Sequence, residues 1–198
     1  MLGIFLEPQG RLRTFIVKWK TRIKKNYIDT KYIDHPPHST IYLASLSNKK
    51  RVIEEIQDLV NQFKPFKIKN DKKDIFLNDK FTGKDTIYLS IKKNKIIFKF
   101  QKKLAEKLKY FTKKKKTKSF KYLDKKLKNS LLKYGFQFVG SHWRPHFTIG
   151  SIKNFNRKKD YPRFMKTKIY FENDVKKISL WKINKDKHKK IKEFKFSK

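Results

Sequence analysis

The chain has 198 residues and carries 54 Lys and Arg against 17 Asp and Glu, a net charge of +37. It has no Cys, which excludes disulfides, thiolate nucleophiles and zinc sites built on thiolates. Leu, Ile, Val and Phe together number 58, enough for a packed core, and no apolar run approaches the length that spans a bilayer.

That length fits one domain, residues 1–198, with room for two lobes. The opening Met1-Leu2-Gly3-Ile4-Phe5-Leu6 lacks the basic flank and long apolar stretch of a signal peptide, so a cytoplasmic protein is expected. The charge points to an anionic partner such as RNA, a nucleotide or an acidic surface. It has a second reading: 47 of the basic residues are Lys, only 7 are Arg, and Ala occurs twice, the signature of A/T-rich codons. Charge alone leaves both open.

In chain order, residues 2–6 read as a short buried strand ended by Pro8 and Gly10. Phe15, Ile16, Trp19 and Ile23 then fall at helical spacing from Leu12 onward. Residues 26–37 are irregular. Ile41, Leu43 and Leu46 mark an apolar strand that includes His38 and Thr40. Ser47 is a plausible N-cap for a helix carrying Val52, Ile53, Ile56, Leu59, Val60 and Phe63, closed by Pro65. Strands are expected around 66–69, 74–77 and 86–91. Residues 95–111 fit both periods, and a helix is expected from about Phe100. Lys113–Lys116 reads as a charged loop. Ser119 opens a helix with Phe120, Leu123, Leu127, Leu131 and Tyr134 on one face and Gly135 after it. A strand follows through Ile149 and Ile152, then a basic loop from Asn154 to Pro162. Residues 167–171 and 175–183 read as strands, and Ile191–Phe196 as a Lys-rich edge strand. This order predicts an α+β protein with largely antiparallel sheet and helices outside.

One pattern stands above the rest. Pro37-His38-Ser39-Thr40-Ile41 returns as Pro145-His146-Phe147-Thr148-Ile149, with only the middle residue changed. In a strand, residues two apart share a face, so each His projects with its Thr, while Ile41 and Ile149 turn to the core. If the two strands lie side by side about a pseudo-two-fold axis, four polar side chains converge. Two imidazoles flanking one substrate can give and take protons in the same reaction, and two hydroxyls can hold phosphate oxygens. A single His-x-Thr is more simply a surface or core histidine; two copies in the same frame are harder to explain that way.

Other residues are weaker candidates. His35 and His142 lie close to the motif histidines, but Pro36 and Pro37 break the first pair and no metallohydrolase frame appears. His188 sits in a Lys-rich turn without an evident role. Arg144, two before His146, can grip phosphate. Tyr42, two after Thr40, can share the cleft face and stack on a base. The basic stretches 112–118 and 153–159, with Phe155 and Tyr161 nearby, can hold an RNA strand.

The paired motifs, 108 residues apart, resemble those of the 2H phosphoesterase superfamily, which includes bacterial 2′-5′ RNA ligase-like proteins and cyclic phosphodiesterases. Trp143 and Pro145 ahead of the second His, and the Gly3-Ile4-Phe5-Leu6 opening, are similar too. Ser39 departs from the pattern, which prefers an apolar residue there. The resemblance implies a bilobal pseudo-two-fold fold with antiparallel sheets lining a central cleft. It also implies cofactor-free, metal-independent chemistry at a 2′,3′-cyclic phosphate or 2′-5′ phosphodiester, with His38, Thr40, His146 and Thr148 as catalytic residues. It suggests His38 as acid and His146 as base, an assignment the residues themselves leave open. The expected partner is an RNA with a cyclic phosphate end, or a small cyclic nucleotide, bound by a monomer away from membranes. A different class remains beside it: an RNA- or phosphate-binding module whose cleft recognises without turning over.

Overall fold

A computed structural model describes residues 1–113, 124–184 and 187–197. Two four-stranded antiparallel sheets form the body. The first has the order β10-β9-β1-β3, built from β1 (Leu2–Leu6), β3 (Ser39–Ala44), β9 (Lys177–Asn184) and β10 (Lys187–Lys195). The second has the order β2-β7-β6-β5, from β2 (Thr30–Lys31), β5 (Lys72–Asp79), β6 (Lys84–Ser90) and β7 (His146–Ile152). A small sheet pairs β4 (Phe66–Asn70) with β8 (Phe171–Val175). The α+β architecture expected from the sequence is the one observed.

The helices cover the sheets because their apolar stripes demand it. In α1 (Gly10–Asn26) Leu12, Ile16, Trp19 and Ile23 are buried, one face at helical spacing, and this face packs on β7. α2 (Lys49–Val60) buries Val52, Ile56, Leu59 and Val60 and packs on β10 and on α3 (Lys95–Leu108), which in turn packs on β3. α4 (Lys125–Tyr134) packs against α3, and its chain turns at Gly135, whose φ of 65° is the left-handed geometry that glycine adopts without a Cβ clash. No helix among the described residues is long and apolar enough to cross a membrane.

Several local expectations are corrected. α2 is capped by Asn48, whose side chain accepts from the Arg51 N–H, while the Ser47 hydroxyl donates to the Phe111 carbonyl. α3 begins at Lys95 rather than near Phe100, because Asn94 caps it by accepting from the Ile96 N–H. Residues 160–162, taken as the end of a basic loop, open α5 (Asp160–Lys166). Pro162 sits in its first turn, where a missing N–H costs nothing. The expected strand at 167–171 is displaced to β8. The helix start at Ser119 and most of the charged stretch 113–116 lie outside the described residues.

Candidate active site

The two motifs do not pair side by side in one sheet. β3 is the edge of the first sheet and β7 lies inside the second, so sequence symmetry becomes symmetry between sheets. The two strands nevertheless approach each other. The Trp143 indole N–H, three residues ahead of His146, donates to the carbonyl of Thr40 at 2.9 Å.

Burial follows the expected alternation in both copies. His38, Thr40, His146 and Thr148 are half-buried, whereas Ser39, Ile41, Phe147 and Ile149 are buried. No hydrogen bond among the described residues engages the side chain of Thr40 or Thr148. The imidazoles share a second feature. His38 Nδ1 lies 2.7 Å from the Pro36 carbonyl, and His146 Nδ1 lies 2.6 Å from the Arg144 carbonyl, in each case the residue two back. A carbonyl only accepts, so Nδ1 carries the proton in both rings, and Nε2 is the nitrogen left for a substrate.

The repeat extends to the neighbouring strands, which sequence reasoning missed. In the first sheet Leu6, Phe5 and Ile4 oppose Ser39, Thr40 and Tyr42, with Ile41 bulged out of register. In the second, Leu89, Tyr88 and Ile87 oppose Phe147, Thr148 and Gly150, with Ile149 bulged in the same way. Each motif Thr thus faces an aromatic residue within an Ile-aromatic-Leu triplet, and each aromatic touches the motif His. Phe5 stacks on His38 with centroids 4.0 Å apart, and Tyr88 meets His146 edge-on at 5.1 Å. The signal was present as Ile4-Phe5-Leu6 and Ile87-Tyr88-Leu89, but antiparallel pairing hides its relation to the motif. Gly3 is required here: a Cβ on it would lie 2.5 Å from the Phe5 ring.

The two halves differ electrostatically. Burial lowers the His38 pKa to about 3, and His188, His35 and Lys20 reinforce that by disfavouring a further positive charge; the Pro36 carbonyl opposes it. Burial also lowers the pKa of His146, but Arg144's carbonyl and the Asp79 carboxylate oppose the shift. Tyr88 is only 7% exposed and stacks on Phe76 at 4.0 Å; burial pushes its phenol up to about 12.

The remaining candidates divide. Arg144, two residues ahead of His146, is exposed. Tyr42 is corrected: it is 0% exposed, packs edge-on against Phe136, and its hydroxyl donates to the Tyr134 carbonyl, so it is a core residue with no face for a base. The bulge at Ile41 is what turns it inward. Phe155 is likewise fully buried and unavailable to RNA. By contrast, His188 on β10 comes within 5.8 Å of His38 between ring centroids, and within 4.2 Å of His35. Only β-pairing across the whole chain places it there.

The sequence matches the family model described as the 2′-5′ RNA ligase superfamily over residues 8–187. Solved structures similar in fold include TT0787 of Thermus thermophilus, with TM-score 0.63, 12% identity, and coverage of 98% of this chain and 97% of that one. E. coli LigT complexed with NADP+ has TM-score 0.57 and 10% identity, covering 100% of this chain and 97% of that one. LigT complexed with 3′-AMP has TM-score 0.55 and 10% identity, with 100% and 98% covered. A search of curated proteins returns no significant match. The duplicated motif, the repeated bulge beneath it and the family match over residues 8–187 make this chain a member of the 2′-5′ RNA ligase superfamily, the two-histidine phosphoesterases.

Proposed function

We propose that the protein is a metal-independent phosphodiesterase acting on 2′,3′-cyclic phosphate or 2′-5′ phosphodiester bonds in RNA ends or small nucleotides. The observation that carries this reading is the matched state of the two imidazoles. Both hold Nδ1–H on a backbone carbonyl and leave Nε2 for chemistry.

In the proposed reaction one Nε2 takes a proton from water as the water oxygen attacks phosphorus. The bond from phosphorus to the departing ribose oxygen breaks, and the other Nε2–H protonates that oxygen. The Thr40 and Thr148 hydroxyls donate to the non-bridging oxygens, where negative charge grows in the transition state. Arg144 adds a cation near His146. Burial favours the neutral form of both imidazoles; cationic neighbours add to this at His38, whereas the Asp79 carboxylate opposes it at His146. This favours His38 as base and His146 as acid, the reverse of the order the family resemblance suggests. An anionic substrate supplies the field that charges the acid on binding.

The test is hydrolysis of a short oligonucleotide ending in a 2′,3′-cyclic phosphate, with EDTA present. Wild type should turn it over, and His38→Ala and His146→Ala should each lose about 10²–10⁴ in kcat. The high positive charge also suits a module that binds RNA without turnover; binding with no product from wild type would favour that reading instead.

A further inference from the structure

The buried stripe of α3 has one exception. Ile97, Phe100, Leu104, Ala105 and Leu108 are apolar, and Gln101 among them is polar and 0% exposed. A buried amide costs stability unless it is hydrogen-bonded, and an apolar side chain would fill the same space without that cost. Gln101 is held at both ends of its amide. Its Nε2 donates to the Phe138 carbonyl at 2.9 Å and to the Ile41 carbonyl at 3.4 Å, and its Oε1 accepts from the Gly140 N–H at 3.1 Å. The nitrogen faces two carbonyls and the oxygen faces an N–H, so the partners fix the orientation of the amide.

These partners belong to the two halves of the site. Ile41 is the bulged residue of the first motif strand. Phe138 and Gly140 lie on the segment that leads into the second motif. The Gly140 carbonyl in turn accepts from the Trp143 backbone N–H at 3.1 Å, and the Trp143 indole donates to the Thr40 carbonyl. The bonds therefore close a ring, from the Ile41 carbonyl through Gln101, Gly140 and Trp143 to the carbonyl of the adjacent Thr40. One bond between two segments allows rotation about it; a second at the neighbouring carbonyl removes that freedom.

We infer that Gln101 is a positioning residue for the reaction, holding the approach to His146 against the bulge that follows His38 and so setting the separation of the two imidazoles. Fully buried, it acts through the backbone of both motifs. Base and acid must reach one phosphoryl group in the same step, so their separation matters as much as the position of either. This rests on the phosphodiesterase reading.

Gln101→Met keeps the bulk of the side chain but makes none of the three bonds. It is compared with wild type on a 2′,3′-cyclic phosphate and on the same substrate with sulfur as the departing ribose atom. On the oxygen substrate kcat should fall by about 10²-fold. On the sulfur substrate the departing atom needs no proton, so one imidazole suffices and most of that loss should disappear. A fold merely loosened by the change loses the same fraction on both, so equal losses, or an unchanged kcat, overturn the inference. If Gln101→Met does not fold, Gln101→Glu, which has the same shape and keeps an acceptor for the Gly140 N–H, carries the same comparison. If wild type hydrolyses neither substrate, the phosphodiesterase reading fails by itself. Inorganic phosphate titrated against the ring protons of His38 and His146 by NMR then decides the role of Gln101. One shared midpoint in wild type that splits or weakens in the variant supports it; the same midpoint in both proteins, or separate midpoints in wild type, overturns it.

Discussion

The indole N–H of Trp143 donates to the carbonyl of Thr40 across 103 residues of sequence, joining the entrance of one histidine motif to the backbone of the other. The two motif strands lie in different sheets, so this bond is what the ladder of a single sheet would otherwise supply: a fixed distance between the two halves of the site. Trp143→Phe keeps a ring against Phe98 but removes the donor. Stability should fall by about 1 kcal/mol in urea denaturation. Activity should fall further than that loss explains, since catalytic groups displaced by about 1 Å can lose on the order of 10²-fold. Unchanged kcat would show that the bond does not set the site.

The acid and base can be assigned by changing the leaving atom. A substrate whose departing ribose oxygen is replaced by sulfur needs no proton on departure. It should restore most of the activity of His146→Ala, recovering about the 10²–10⁴ that general acid catalysis supplies. His38→Ala should stay inactive on it. Rescue of His38→Ala instead would restore the order that the family resemblance suggests.

The buried imidazoles make stability depend on pH in a definite direction. Both have folded pKa values below the usual 6.5, that of His38 at about 3. Between the folded and unfolded values the unfolded chain binds more protons, so stability is full above about pH 6.5 and declines as pH falls towards the folded values. Urea midpoints at pH 7.5 and 5 should differ in wild type and differ less in a His38→Asn/His146→Asn double variant. Inorganic phosphate should raise both imidazole pKa values in an NMR titration.

Phe5 and Tyr88 should matter through their rings. Tyr88→Phe should leave kcat nearly unchanged, because the face that meets His146 is retained. Phe5→Leu and Tyr88→Leu should each lower kcat by roughly 2- to 10-fold, the range of one aromatic contact. A loss in Tyr88→Phe as large as in Tyr88→Leu would instead assign the role to the phenol.

Ser39 is buried, and its hydroxyl has no hydrogen-bond partner among the described residues. Its departure from the apolar residue expected at that place therefore has a cost. Ser39→Ala should stabilise the protein by about 1 kcal/mol, read as a higher urea midpoint with an unchanged slope, and leave turnover intact.

By itself the sequence determined the class of fold, the helical stripes of α1 and α2, the two motif strands and the four side chains His38, Thr40, His146 and Thr148 that share their half-buried faces. These follow from local periodicity, which needs only neighbours along the chain. Tertiary structure decided the rest. It put the motifs on separate sheets, moved Tyr42 into the core through a bulge at Ile41, and paired each motif with an Ile-aromatic-Leu triplet from another strand. It also carried His188 on β10 to the side of His38. Strand pairing joins residues without regard to their separation in sequence, and a single bulge reverses which face a side chain takes. Neither leaves a mark in local periodicity, so the wall of the site became visible only when the sheets were assembled.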